Sequence, residues 1–235
     1  MTESDWEAIY KLDFINFTDC YKTCDSYCCK NFLGKHFKIL DKEAVILPLL
    51  ESEFNFYQKK GGISGIKDIK KEVFKLKNQK EFSLYFLTCT CKGLCTPHNL
   101  RPLICRIYPY FPCVSTRGEI IGFKAASFMD LFFKDNSFHP CTLVREHSIE
   151  LQNSLRESLK PLMRYPLLIF SFKALEILAK FLELKMQDEA NIFSESFFKK
   201  LEWNLISRKA WSVEACKNEI STSYDEIAKI YGDFL

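Results

Sequence analysis

Glycine is scarce in this chain, eight residues in 235, and no G-x-G-x-x-G or P-loop string occurs. Backbone that must wrap phosphates closely needs glycines at fixed spacing, so an ordinary dinucleotide, nucleotide or S-adenosylmethionine fingerprint is excluded. "GGISG" at 61–65 follows no apolar strand and is a loop. G-x-S-x-G, H-E-x-x-H and C-x-x-C are also missing, which removes the nucleophile elbow, the zincin helix and the thioredoxin dithiol. Charge of one sign is missing too: 33 basic residues stand against 30 acidic ones, interleaved along the chain. A net charge of +3 argues against nucleic acid as a partner. The N-terminus "MTESDWEAIYKLD" has neither a basic n-region nor an apolar h-region, so secretion is not expected. The most apolar run, Leu162 to Leu184, carries Arg164, Lys173, Glu176 and Lys180, too many charges for a membrane span. The expectation is a soluble cytoplasmic protein with no membrane contact.

Against these absences stands an excess of cysteine. There are eleven, ten of them between Cys20 and Cys141. A disulfide framework belongs to short exported domains, whereas a reducing compartment keeps clustered thiols free for metal. "CYKTCDSYCCKN" at 20–31 spells Cys20-x3-Cys24-x3-Cys28-Cys29. Adjacent cysteines bond to each other poorly, because the small ring strains the peptide. A second block, Cys89-x-Cys91-x3-Cys95, is followed by Cys105, Cys113 and Cys141.

Hydrophobic residues make up 47% of the chain, enough for a packed core. The pattern suggests a lead-in helix from Trp6 to Leu12 and a short strand from His36 to Leu40. Asp41 reads as the N-cap of a helix carrying Ala44, Val45, Leu47 and Leu50 toward Tyr57. Alternating runs at 72–77 and 81–88 read as a β-hairpin, 115–125 as a turn and strand, and "SFMDLFFKD" as a short helix. Helical periodicity then covers 144–159, 167–185, 192–206 and 224–234. The expected class is α+β, mostly α. A loop-rich cysteine region, residues 1–142, contains a small antiparallel hairpin; a helical region, 143–235, covers it, either as a second domain or as part of the same one.

Spacings of two to four residues let one turn offer two thiolates to an ion, and the two blocks supply convergence from separate segments. Candidate metal ligands are Cys20, Cys24, Cys28, Cys29, Cys89, Cys91, Cys95, Cys105 and Cys141. More than four thiols imply two sites or one polynuclear centre, and soft sulfur restricts the metal to zinc, iron as iron–sulfur, or Cu(I). Consecutive side chains diverge, so Cys28 and Cys29 can serve different ions or different corners of one cluster. Arg101 and Arg106 flank Cys105 and are expected to offset thiolate charge beside the cofactor. Pro102, Pro109 and Pro112 are expected to stiffen that segment. Cys91 and Cys113 stand between ligand and core residue. His98 and His139 have cysteine neighbours, although a histidine is more often not a ligand. Cys216, His36 and His147 are read as structural.

The string "TCDSYCC" with "GLCTPHNLRPLICRIYP" downstream resembles the YkgJ-type CxxCxxCC family of zinc- or iron-chelating proteins. The matching positions are Cys20, Cys24, Cys28-Cys29, Cys95, Arg101-Pro102, Cys105-Arg106, Tyr108-Pro109 and Cys141. Cys89 or Cys91 corresponds to a further family cysteine, and the likeness spans about residues 20–145. Both gaps in the first block hold three residues where the family usually has two. A weaker resemblance runs to the flagellin lysine N-methylase branch, which implies an iron–sulfur centre and a protein substrate. Three functions are therefore expected to compete: a zinc or iron metalloprotein, an iron–sulfur-dependent protein-modifying enzyme, and a metal storage or delivery protein. The helical region would serve as cover or as the surface for a protein partner or substrate.

Overall fold

The computed structural model describes residues 1–14, 20–30, 37–41, 43–189 and 193–235, with the side chains of Cys20 and Tyr21 outside the description. Thr2 opens the chain's first helix, α1 (Glu3–Tyr10), through a capping box with Asp5. Trp6 and Ile9 on one side of α1 go into the core. A single turn, α2 (Cys20–Thr23), carries the start of the first cysteine block. Strand β1 (Val45–Leu50) runs directly into helix α3 (Glu51–Lys59). The expected helix from Asp41 is therefore corrected: its first half is strand. Asp41 Oδ1 accepts from Glu43 N–H at 2.9 Å, which closes a turn and starts no helix. Pro48 fits because β1 is an edge strand that pairs with β3 alone.

β2 (Ile66–Lys75) and β3 (Glu81–Cys89) form the expected hairpin, with the first strand beginning earlier than 72. β3 lies at the centre of a three-stranded antiparallel sheet in the order β1-β3-β2. Short helix α4 (Leu103–Ile107) follows, then β4 (Tyr110–Val114) pairs with β5 (Ile120–Ala125) as a second, two-stranded sheet. β4 is buried along its whole length, so it shows no alternation that could mark it in sequence. "SFMDLFFKD" holds only a 3-10 turn at Asp130–Phe132 where a helix was expected. Lys38, Ile39 and Leu40 form no strand; their N–H groups all donate to Glu202. His36 lies outside the described residues.

Helices α5 (Thr142–Leu159), α6 (Pro166–Met186), α7 (Glu195–Ser207) and α8 (Glu214–Tyr231) complete the chain. The last two differ from expectation at their ends: Ser194 caps α7 after 192, and α8 starts ten residues before Tyr224. Helix accounts for 51% of the described residues and strand for 17%, which makes the class α+β, mostly α. One apolar cluster draws Trp6 and Ile9 from α1, Ile107 from α4, Phe111 from β4, Leu151 and Leu155 from α5, Phe170 from α6 and Ile227 from α8. Each such side chain contributes roughly 1.5–3 kcal/mol on burial. A smaller cluster of Leu47, Leu49, Phe54, Leu87, Cys89 and Cys95 underlies the three-stranded sheet, so cysteines sit at the edge of a core. Among the described residues no helix is long and apolar enough to cross a membrane.

Candidate metal centre

Strand β3 delivers Cys89 as its last residue, held between Val45 of β1 and Ile66 of β2. The chain then reverses at Lys92 (φ 51°) and Gly93 (φ 87°), with Leu94 N–H donating to Cys91 C=O at 2.9 Å. That reversal returns Cys95 to Cys89, and the two thiols hydrogen-bond. Neighbouring loop 61–65 pins the turn, since Thr90 N–H reaches Gly65 C=O at 2.9 Å and Ser64 N–H reaches Thr96 C=O at 2.8 Å. Gly65 has φ 79°, and a Cβ there would lie 2.9 Å from the Cys91 sulfur, so the site requires glycine. Cys105 arrives on α4, whose start is set by Pro102: Cys105 N–H donates to Pro102 C=O at 2.9 Å. Cys29 arrives from the first block, and its sulfur accepts the Gly93 N–H.

Five thiols from three separated segments thus lie within electrostatic reach of one another around the 91–95 turn. The Cys89 thiol is drawn down to about 6, chiefly by the hydrogen bond with Cys95 and then by the Cys91 amide. Cys95 moves up in response, and burial raises Cys105 well above the ordinary thiol value. Burial lifts Cys91 to about 11, and its S–H donates to the Ser64 carbonyl. Arg101 stands near enough to favour the thiolate form of both Cys29 and Cys105. Arg106 is placed differently. Its guanidinium donates to the carbonyls of Ile9 and Leu12 and lies over the Tyr10 and Phe14 rings, so its hydrogen bonds close the end of α1 and none goes to sulfur.

A second pair joins Cys24 and Cys141. Asp25 and Ser26 are both left-handed, which turns the amides of Ser26 and Tyr27 toward the Cys24 sulfur. Cys141 stands at the N-cap of α5 with no side-chain capping hydrogen bond, and the nearby Val144 and Leu143 amides favour its thiolate form. The Cys141 S–H donates to Cys24, which pulls Cys24 down to about 6 and pushes Cys141 up. Thr23 and Thr142 clasp the same two segments, Oγ1 to Oγ1 at 2.8 Å. Beneath them lies a polar knot that sequence reasoning missed. Asp130, 6% exposed, accepts from Tyr27 O–H at 2.6 Å and Tyr108 O–H at 2.9 Å. His139 Nε2 faces the same carboxyl group at 3.6 Å, and its Nδ1 accepts the Cys141 N–H at 3.1 Å. Both ring nitrogens are thereby turned to protein groups, which leaves no lone pair on His139 for a metal. The available signal was a single Asp embedded among aromatics in "SFMDLFF".

Cys28 and Cys29 stand 3.7 Å apart, sulfur to sulfur. Cys113 is buried in β4 among groups of α6 and β5, and Cys216 is buried in α8; neither joins a thiol group. His98 is exposed on a 3-10 turn, its basicity lowered by partial burial and by the nearby Arg101 and Arg106. The Cys20 side chain lies outside the described residues. Every described cysteine is a free thiol. Among the described residues no three Cys, His, Asp or Glu side chains stand in coordination geometry about one point; the thiols are arranged as hydrogen-bonded pairs. As a donor set the residues suit a thiophilic ion: soft sulfur from several segments, backbone amides aimed at it, and a guanidinium at one flank. Comparisons with family models, with curated proteins and with solved structures each find no match for this chain.

Proposed function

We propose that this is a cytoplasmic metalloprotein that binds zinc, or iron as an iron–sulfur centre, through cysteine thiolates. The observation that supports the reading is that Cys29, Cys89, Cys95 and Cys105, from three segments, lie within electrostatic reach of one another around one turn, with Arg101 beside them. Four thiolates complete a tetrahedral zinc site or hold an iron–sulfur cluster at about 2.3 Å per Zn–S bond. Cys91 is a fifth candidate whose S–H is engaged by Ser64. The likeness to the CxxCxxCC chelating family at Cys24, Cys28-Cys29 and "RPLICRIYP" supports the same function. Storage or delivery needs accessible ligands, and Cys89 at 3%, Cys95 at 8% and Cys141 at 4% exposure weigh against it. A role in iron–sulfur-dependent lysine methylation of a protein substrate rests on the weaker resemblance alone.

The test is metal and sulfide analysis of anaerobically purified chain. Zinc in stoichiometric amount with a colourless solution is expected for a d¹⁰ site, and a brown solution with acid-labile sulfide for iron–sulfur. A chain that carries and takes up neither metal sinks the proposal. Methylase activity further requires S-adenosylmethionine binding, and a calorimetric blank counts against it.

A further inference from the structure

We propose that Cys28 and Cys29 together chelate a trivalent arsenical that carries one small organic group, a soft centre that takes two sulfurs. The inference goes beyond the metal-binding reading and does not rest on it. The two sulfurs stand 3.7 Å apart on one 3-10 turn, Tyr27–Cys29. Its shape is held from both sides. Ser26 precedes the turn in the left-handed region, and Cys29 N–H donates to Ser26 C=O at 2.8 Å. Tyr27 O–H is anchored on the buried Asp130 at 2.6 Å. Cys28 and Cys29 are both partly exposed, whereas Cys89, Cys95 and Cys141 are only 3%, 8% and 4% exposed. A ligand arriving from solvent therefore reaches two neighbouring thiols at this turn.

The separation selects the ligand. A disulfide needs its sulfurs about 2.05 Å apart, and between adjacent residues it strains the peptide. A linear two-coordinate ion sets its sulfurs two bond lengths apart, about 4.6 Å at the zinc–sulfur length. The observed gap lies between these limits and suits one bent centre bonded to both sulfurs. A tetrahedral ion would need further protein ligands, and among the described residues no three ligating side chains stand about one point. Trivalent arsenic with one carbon substituent is complete with two thiols. Beside Cys28 opens a cavity of about 50 Å³ walled by Tyr27, Val45, Tyr108 and Met129, room enough for a methyl-sized group. The reaction is an exchange without electron transfer. Two As–S bonds form, two As–OH bonds break, and each thiol proton leaves with a hydroxyl group as water, so arsenic stays trivalent.

Titration of the reduced, metal-free full chain with methylarsonous acid tests this, read by intact mass and by the count of thiols that react with a chromogenic disulfide. The first equivalent is expected to add one methylarsenic unit and to remove two thiols from that count. Cys28→Ser and Cys29→Ser should each weaken its binding about a hundredfold, since the second thiol no longer closes the chelate. Cys113→Ser and Cys216→Ser should bind as the native chain does. Native affinity in both Cys28→Ser and Cys29→Ser would overturn the site. Should those variants fail to fold, proteolytic mapping of the native adduct decides. Arsenic on the segment that holds Cys28 and Cys29 supports the site, and arsenic on any other segment overturns it. A native chain that takes up no arsenical also overturns it, whether or not that chain binds zinc or iron.

Discussion

The two halves of this molecule are held by different physics. From α5 onward the interior is aliphatic and aromatic: Leu151, Leu155, Leu159, Ile169 and Phe170 are each at most 1% exposed. Regular helices satisfy their own backbone, so apolar volume is enough to fix them. Residues before α5 run through turns and short strands whose polar groups need partners, and buried carboxyl groups supply them. Glu53 accepts from Tyr10 O–H at 2.9 Å and Leu103 N–H at 2.7 Å, joining α1, α3 and α4. Asp130 joins Tyr27, Tyr108 and His139 around the second thiol group. Irregular backbone that carries the cysteines is therefore tied by a few polar knots, each of which can be cut singly.

The comparison breaks most directly in the helical half. Leu155→Ala leaves a cavity at a fully buried position and is expected to cost about 3–4 kcal/mol in urea unfolding. The same substitution should leave the reactivity of the thiols toward a chromogenic disulfide unchanged in the folded protein. Asp130→Ala comes next, at about 2–3 kcal/mol, because two buried tyrosine hydroxyls lose their acceptor. It should also make Cys24 and Cys141 more reactive, since the floor beneath them loosens. A cost under about 1 kcal/mol would show that the knot does not hold the cysteine half.

Much of the helical half was readable. Apolar spacing located α5 and α6 within a residue or two, because in both helices burial follows the helical period. β1 was misread since "VILPLL" is a continuous apolar run, and such runs do not distinguish strand from helix. β4 escaped for the same reason, with Pro112 as a further false signal. At the site, the cysteine blocks and Arg101 were legible as types and spacings. Which thiol faces which neighbour was not, because that depends on positive φ at Asp25, Ser26 and Lys92; Asp and Ser are common turn residues, but their types do not say which of them turns left-handed. Arg106 was misjudged on adjacency: in a short helix, a neighbour of Cys105 points elsewhere, here toward the end of α1.

The carboxyl knots should also differ from surface ion pairs in their pH response. Burial raises Glu53 from 4.5 to about 7, against the lowering effect of the Leu103 amide, the Tyr10 hydroxyl and Arg106. Below pH 4.5 the group is protonated in both folded and unfolded chains. Between 4.5 and 7 the unfolded chain ionises first, so stability falls as pH rises, by on the order of 3 kcal/mol in total. Glu53→Gln should flatten that slope, as read from urea midpoints across the window. An unaltered slope would place the pH dependence in other groups.

The smallest effect is expected where α7's end meets the sheet. Arg208 donates to both oxygens of Glu72, and this contact, more than the added bond from Lys70, holds that carboxyl down at about 2. A depressed acid stabilises above its unfolded value of 4.5, and the contribution disappears as pH falls from there toward 2. The sign is thus opposite to that of Glu53. Arg208 is half exposed, so solvent and salt screen the pair and Arg208→Met should cost less than about 1 kcal/mol at neutral pH. The loss should shrink in high salt and vanish near pH 2, whereas the Leu155→Ala deficit persists under both conditions. A deficit for Arg208→Met that ignores salt and acid would mean that the guanidinium lying over the Phe86 ring, and not its pairing with Glu72, is what the sheet uses.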